Sequence, residues 1–394
     1  MVAVRDRRYF VLAVLALALA RFVGGPLPYF LLYVFSGILL VSYAWAVALT
    51  RNLSLSYDLD RQRVSSGQSI TVRLKLYNDG FYPLPWATLT DHFAALVSGE
   101  AAPVLHLNPG PLSSAVTSYS LTCRRRGHYM PGPVELVTGD PFGIFRVRLN
   151  FQGSGHLTVY PRLVVVDHLP VPVCQPFGRL RTRQKAFEDP SNPAELRPFR
   201  HGDNPRRIHW RTSAHLQSPY VVEYELTATT QMHIFLDLAT SAVAETTKDM
   251  AVEVALAIAH YALRRGFDIG LVAHGSDRFA IPSGKGQRKL YEYLEGLARV
   301  TADGRVPLAQ VLAVESRHLP LRSTIAVVTP SLSPELVLSL LRLATGGFGV
   351  ILFLIGPAQG TSTGYLRQAG IDVLILNRTE DLLTVGGVRH ATGR

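Results

Sequence analysis

Cysteine is scarce in this chain: two residues, Cys123 and Cys174, among 394. That excludes a disulfide-built scaffold and a cysteine-rich zinc module. Charge is sparse as well. Asp, Glu, Lys and Arg make up 18% against 47% hydrophobic residues, a charged share low for a soluble protein and an apolar share too high for a disordered one. Acids are outnumbered, 29 against 40 Lys and Arg, which leaves a net charge of +11. The 13 histidines include no His-Glu-x-x-His pair, and no Gly-x-Ser-x-Gly elbow occurs. SGKGQRK (283–289) and GGFG (346–349) lack the spacing of a phosphate loop or a dinucleotide fingerprint, so both read as turns. At roughly 100–200 residues per domain, the length allows two or three domains.

What is abundant is apolar sequence at the start. YFVLAVLALALA (9–20) continues past Arg21 toward Gly24, and PYFLLYVFSGILLVSYAWAVAL (28–49) carries no charge. A bilayer core needs about 20 apolar residues as helix. The second run meets this outright. The first meets it if the helix extends to about Gly24, with Arg21 snorkelling. Gly24, Gly25, Pro26 and Pro28 supply a turn between the spans. Arg5, Arg7 and Arg8 precede the hairpin, Arg51 follows it, and the short loop is uncharged, so the positive-inside rule places both ends in the cytoplasm. The rival is a signal peptide cut after Ala18-Leu19-Ala20, with 28–49 left as a stop-transfer helix.

From residue 52 the period changes to two. Ile70, Val72, Leu74 and Leu76 alternate with Thr71, Arg73, Lys75 and Tyr77, and Asn78-Asp79-Gly80 ends the run as a turn. Further short strands are expected at 116–123, 134–138, 143–149 and 157–160, which together suggest a small antiparallel sandwich over 51–165. Residues 166–194, rich in proline, arginine and polar side chains and without period, read as a linker.

After 195 strands and helices alternate. MHIFLDLA (232–239), DIGLVAH (268–274), TIAVVTP (324–330), FGVILFLIG (348–356) and DVLILN (372–377) are apolar strands. Helices are expected at 249–265, at 286–299 and from Ser333-Pro334-Glu335, with Gly346 and Gly347 closing the last. Continuous apolar strands between helices indicate a mostly parallel, doubly wound sheet over 195–394. Ligands of such sheets sit beyond the carboxyl ends of the strands, where Asp237 falls.

An ordered set of segments then carries a resemblance: RRRGHY (124–129), DPFGIF (140–145), VYPRL (159–163) and LRPFRHGDNPRRIHWRTSAHLQSPYVVEYE (196–225), behind the apolar hairpin. With these the chain resembles the bacterial membrane proteins of the domain of unknown function 58 family, over nearly its whole length. The resemblance implies a sandwich followed by a von Willebrand factor A-like domain. It also implies a MoxR-type AAA+ ATPase as partner, and no established catalytic activity.

The long segment has its own physical reading. Residues 179–211 hold nine basic and four acidic residues. Arg200, Arg206, Arg207 and Arg211 lie near Asp203 and Trp210, either as a cluster gripping a partner's carboxylate or phosphate or as an internal network of Arg–Asp pairs around a packed Trp. His209 and His215 flank Trp210 and Arg211 with no nucleophile to serve. Domains of the von Willebrand A type often hold Mg²⁺ through Asp-x-Ser-x-Ser. Here Asp237 and Ser241 fit, but Ala239 replaces a hydroxyl, 302–308 offers no Thr, and Thr329-Pro330-Ser331 has no Asp. These are remnants of a metal site, so no cofactor is expected and Asp237 is expected to cap backbone amides.

The expectation from sequence is thus a multidomain, plasma-membrane protein, its two spans about 9–24 and 28–49 within 1–50 and its bulk cytoplasmic. It would contact lipid and an AAA+ ATPase, bind no nucleic acid and catalyse no reaction. A Mg²⁺-dependent adhesion module and a membrane-surface enzyme are the alternatives.

Overall fold

The structure is a computed structural model that describes residues 2–4, 8–23, 25–170, 193–200, 208–224, 231–239, 244–275, 278–301, 303–320, 323–357 and 360–385. The chain divides into two units. One comprises Met1–Leu163 with Leu294–Arg299; the other comprises Val164–Tyr293 and Val300–Arg394. Of the expected linker 166–194, residues 166–170 fall in the second unit and 171–192 lie outside the described residues.

The first unit opens with strand β1 (Val2–Val4), helix α1 (Arg8–Val23) and helix α2 (Pro26–Arg51). Pro26 and Pro28 sit in the first turn of α2, where a missing N–H costs nothing. Among the described residues α2 is the helix long and apolar enough to cross a membrane. α1 has 16 residues, about 24 Å at 1.5 Å per residue, which is less than a hydrocarbon core of about 30 Å.

The rest of this unit is β-rich. It runs through β2 (Leu53–Leu59), β3 (Arg63–Ser65), β4 (Ser69–Asn78), β5 (Ala87–Asp91), α3 (His92–Ser98), β6 (Val104–His106) and β7 (Ser113–Thr122). It ends with β8 (Gly127–Tyr129), β9 (Val134–Gly139), β10 (Phe145–Phe151) and β11 (Leu157–Tyr160). These form a five-stranded sheet β1-β10-β9-β5-β6 and two three-stranded sheets, β2-β4-β7 and β3-β11-β8. Ladders are antiparallel except β3 with β11. The period-two pattern of β4 buries Ile70, Val72, Leu74 and Leu76 completely or nearly so. They meet Leu89, Phe93, Leu136 and Leu157 in one core shared by the sheets. Inside it Asp91 is fully buried. Its Oδ1 accepts from Phe93 N (3.0 Å), capping α3, and its Oδ2 accepts from the hydroxyls of Tyr57 (2.9 Å) and Tyr119. Burial first and the Asp91 charge second hold both phenols well above their ordinary pKa.

The second unit begins with β12 (Pro193–Pro198), α4 (Trp210–His215) and β13 (Tyr220–Tyr224), the two strands paired antiparallel. A six-stranded sheet follows, with its helices: β14 (Gln231–Asp237), α5 (Glu245–Arg264), β15 (Asp268–His274), β16 (Arg278–Gly284), α6 (Gln287–Arg299, whose residues from Leu294 belong to the first unit), α7 (Leu308–Glu315), β17 (Thr324–Thr329), α8 (Pro334–Thr345), β18 (Gly349–Ile355), α9 (Gly360–Gln368), β19 (Asp372–Leu376) and α10 (Asp381–Val385). The spatial order is β16-β15-β14-β17-β18-β19, all parallel except the edge strand β16. Pro282 within β16 removes one donor, which an edge tolerates.

Central strands are buried along nearly their whole length, the apolar runs read from sequence. Phe235, Val327 and Leu352 face the helices α7 and α8 through Leu308, Leu312, Leu336 and Leu340. α5 packs on β14, β15, β17 and β18 and buries Val252, Ala255, Leu256 and Ala259. β14 and β17 are neighbours although β15, β16 and three helices' worth of chain separate them, so the winding reverses between these two strands.

Candidate functional site

The reversal opens a crevice at the carboxyl ends of β14 and β17, where open α/β sheets bind ligands. Asp237 ends β14 and Thr329 ends β17. The Thr329 hydroxyl donates to Asp237 Oδ2 at 2.6 Å and accepts from Ser331 N at 3.1 Å, while Asp237 Oδ1 accepts from Ala239 N at 3.0 Å. Asp237 is therefore a strand-end carboxylate with each oxygen engaged by a donor of its own unit. Above it lies a cleft of about 240 Å³ lined by Asp237, Ala239, Arg305, Leu308, Ser331 and Ser333, with prolyl and leucyl side chains at its wall.

Local sequence explains how the wall is held. The loop before α7 passes so close to the strand ends that a Cβ on Gly304 would sit 2.2 Å from the His274 carbonyl oxygen, and Gly304 N donates to Leu238 O at 3.0 Å. α7 is fastened at its far end by a paired contact: Arg278 Nε and Nη2 donate to Glu315 Oε1 and Oε2 at 2.7 and 3.1 Å. That hydrogen bonding holds the Glu315 carboxyl below its ordinary pKa. On the opposite wall Ser333 caps α8, its hydroxyl accepting from Leu336 N at 3.2 Å.

Among the described residues the cleft's donor set does not fit a divalent cation: Asp237 is the single carboxylate lining it, its oxygens already accept hydrogen bonds, Ala239 offers no oxygen from its side chain, and a guanidinium lines the same space. Among the described residues no three His, Cys, Asp or Glu side chains gather as a metal site. Ser241 lies outside the described residues.

The arginine-rich segment forms a second surface. His209 N donates to Tyr220 O (2.9 Å), and Ile208 bridges Val221. The His209 ring caps α4, with Nδ1 accepting from Thr212 N at 3.2 Å and facing the Thr212 hydroxyl at 2.8 Å. Ser213 Oγ donates to His209 O (3.0 Å) and accepts from Tyr220 N (2.9 Å), closing α4 onto β13. His209 is thus a structural cap. Trp210 is 71% exposed. Large aromatics are normally covered, so this exposure carries information. Arg200 and Arg211 are also exposed. Asp203, Arg206 and Arg207 lie outside the described residues.

Ser333 caps α8 as the sequence predicts, whereas Arg305 carries no signal that marks it as a cleft residue. It lies in the 302–308 loop, which offers no hydroxyl ligand and places this arginine at the cleft instead. The pairing of Thr329 with Asp237 had no local signal, because 92 positions separate them.

Known proteins resemble parts of this chain. A curated relative, uncharacterized protein YeaD of Bacillus subtilis (strain 168), is 24% identical over 337 residues, covering 84% of each chain. Among solved structures, proximal thread matrix protein 1 from the mussel byssus is 16% identical with a TM-score of 0.31, covering 40% of this chain and 46% of its own. BatB, a conserved hypothetical protein of Bacteroides thetaiotaomicron, is 9% identical with a TM-score of 0.27, covering 39% and 93%. Likenesses of that size carry no argument about fold. Residues 195–358, which hold both surfaces described above, match the family described as protein of unknown function DUF58.

Proposed function

We propose that this chain is a membrane-anchored interaction protein without catalytic chemistry of its own, which docks a MoxR-type AAA+ ATPase at the carboxyl edge of its α/β sheet. The single observation that carries the reading is the state of Asp237. Its oxygens accept from Ala239 N and Thr329 Oγ1, so the residue acts as a strut for a surface that also offers Arg305 and apolar side chains. Such a mixed, shallow, cation-bearing rim suits an acidic protein segment better than a reacting small molecule. The strand order, with one antiparallel edge strand, supports a von Willebrand factor A-like domain, and the resemblance of 196–225 supports the choice of partner.

The anchor in this reading is a helical hairpin in the plasma membrane with the bulk of the chain cytoplasmic. β1 pairs with β10, and α2 runs into β2 of the same unit, so the chain leaves and re-enters one body across α1 and α2. That supports a hairpin with both ends on one side, in which the short α1 crosses where the bilayer thins around it, and the arginines flanking the pair favour the cytoplasm.

The test is affinity capture of the full chain from detergent extract, with and without ATP. An AAA+ ATPase recovered by the native protein and lost with Arg305→Glu, at unchanged melting temperature, is the expected result. Equal recovery by Arg305→Glu removes the cleft from the scheme, and absence of any AAA+ protein under both conditions removes the partner.

A further inference from the structure

The DPFGIF turn between β9 and β10 is built to present an apolar side chain. Asp140 is fully buried, and its oxygens fix the turn. Its Oδ2 accepts from Phe142 N (2.9 Å), its Oδ1 accepts from Phe145 N (2.6 Å), and its carbonyl accepts from Gly143 N (3.1 Å). A carboxylate is thus spent on fixing a turn whose apex, Phe142, is 57% exposed. A second loop shows the same design. Asn78 is buried and its Nδ2 donates to Tyr82 O (2.8 Å) and Gly110 O (2.9 Å), while Phe81 between them is 79% exposed. Fixed loops with bare phenylalanines at their tips mark a surface that is covered in use.

Helix α2 says what covers it. Counting about 20 residues of hydrocarbon from Pro26 brings the bilayer boundary to about Trp45. Tyr43 and Trp45 then fall at the depth of an aromatic belt. Those are the residues that touch the two loops: the Tyr43 and Phe145 rings are 5.7 Å apart, and the Trp45 and Tyr82 rings 4.7 Å apart. From Ser42 onward one face of α2 is covered by protein, with Ser42, Ala46 and Leu49 buried, and just past the helix Asn52 O accepts from Asp79 N (2.9 Å). The loops are therefore fastened to the part of the helix that lies at the headgroups.

We propose that Phe81 and Phe142 enter the lipid interface beside α2, so that the β-rich unit is seated in the membrane surface rather than hanging from its anchor. The occupant of this apolar rim is phospholipid. The inference rests on reading α2 as a span.

The test uses the full chain in phosphatidylcholine–phosphatidylglycerol vesicles with Cys174→Ser. Cys123 is fully buried and stays in place, since labelling reagents do not reach it. Spin labels are placed at Phe81→Cys, Phe142→Cys, Val34→Cys on α2 and Leu338→Cys on α8. Oxygen partitions into lipid and a nickel chelate into water. The oxygen-to-nickel collision ratio is expected to be at least several-fold higher at 81, 142 and 34 than at 338. A high ratio at 34 with values at 81 and 142 equal to 338 overturns the seat and leaves the span. A low ratio at 34 overturns the span and the seat with it. Labels at 81 and 142 shielded from both reagents point to a second copy of the chain on the rim and overturn the lipid assignment.

Discussion

The Thr329 hydroxyl donates to the Asp237 carboxylate at 2.6 Å across the two strands between which the sheet's winding reverses. Thr329 is fully buried. Thr329→Val keeps the shape and removes the donor, leaving a carboxylate oxygen desolvated without a partner. We expect a loss of about 1–3 kcal/mol in chemical denaturation, restored by Thr329→Ser.

Gly304 is a close-approach glycine. The methyl of Gly304→Ala would overlap the His274 carbonyl oxygen, a backbone atom that cannot swing aside. The 303–307 loop has to move, carrying Arg305 with it. Destabilisation of about 1–3 kcal/mol is expected, and hydrogen exchange should speed up at the strand ends and in α7 while α5 keeps its protection. Unchanged exchange in the loop would count against this close fit.

Buried His233 and half-buried His260 set an acid limit. Burial holds His233 and His260 below the ordinary value of 6.5, against the nearby Asp268 in the first case and aided by Arg264 in the second. A depressed histidine means the unfolded chain binds more protons once pH falls below about 6.5, so stability declines from there toward the folded pKa. Melting temperature should drop between pH 7 and pH 5, and the double variant His233→Gln, His260→Gln should flatten that slope. Glu315 acts lower on the scale. Arg278 depresses it below 4.5, so its contribution is present above that value and is lost as pH falls through the folded pKa.

Trp210 should report its own exposure. Iodide is expected to quench a fraction of the native fluorescence that disappears in Trp210→Phe, with the melting temperature unchanged. A large stability loss in that variant would return Trp210 to a packing role.

Local pattern carried much of the architecture. The alternation at Ile70, Val72, Leu74 and Leu76 and the apolar runs of β14, β17 and β18 are imposed by burial on one face or two, and burial leaves a periodic trace. Short elements at the periphery left none: β16 carries a proline, and α7 and α9 have 8 and 9 residues. Asp237 was legible as a strand-end carboxylate, but its partner was not, since strand order decides which distant residue arrives beside it. The cap by His209 was hidden for another reason. A ring nitrogen replaces the usual short polar oxygen, so the start of α4 does not look like one.

The pairing of β1 with β10 ties removal of the anchor to the integrity of the sheet. A chain trimmed before Asn52 to make it soluble would shed its greasy helices and, with them, the ribbon that shields one margin of the five-stranded sheet. The bared amides and carbonyls of Phe145–Val147 would then be open to strands from other molecules. Shortening this protein trades one kind of stickiness for another, and keeping Val2–Val4 by a direct graft would avoid the exchange.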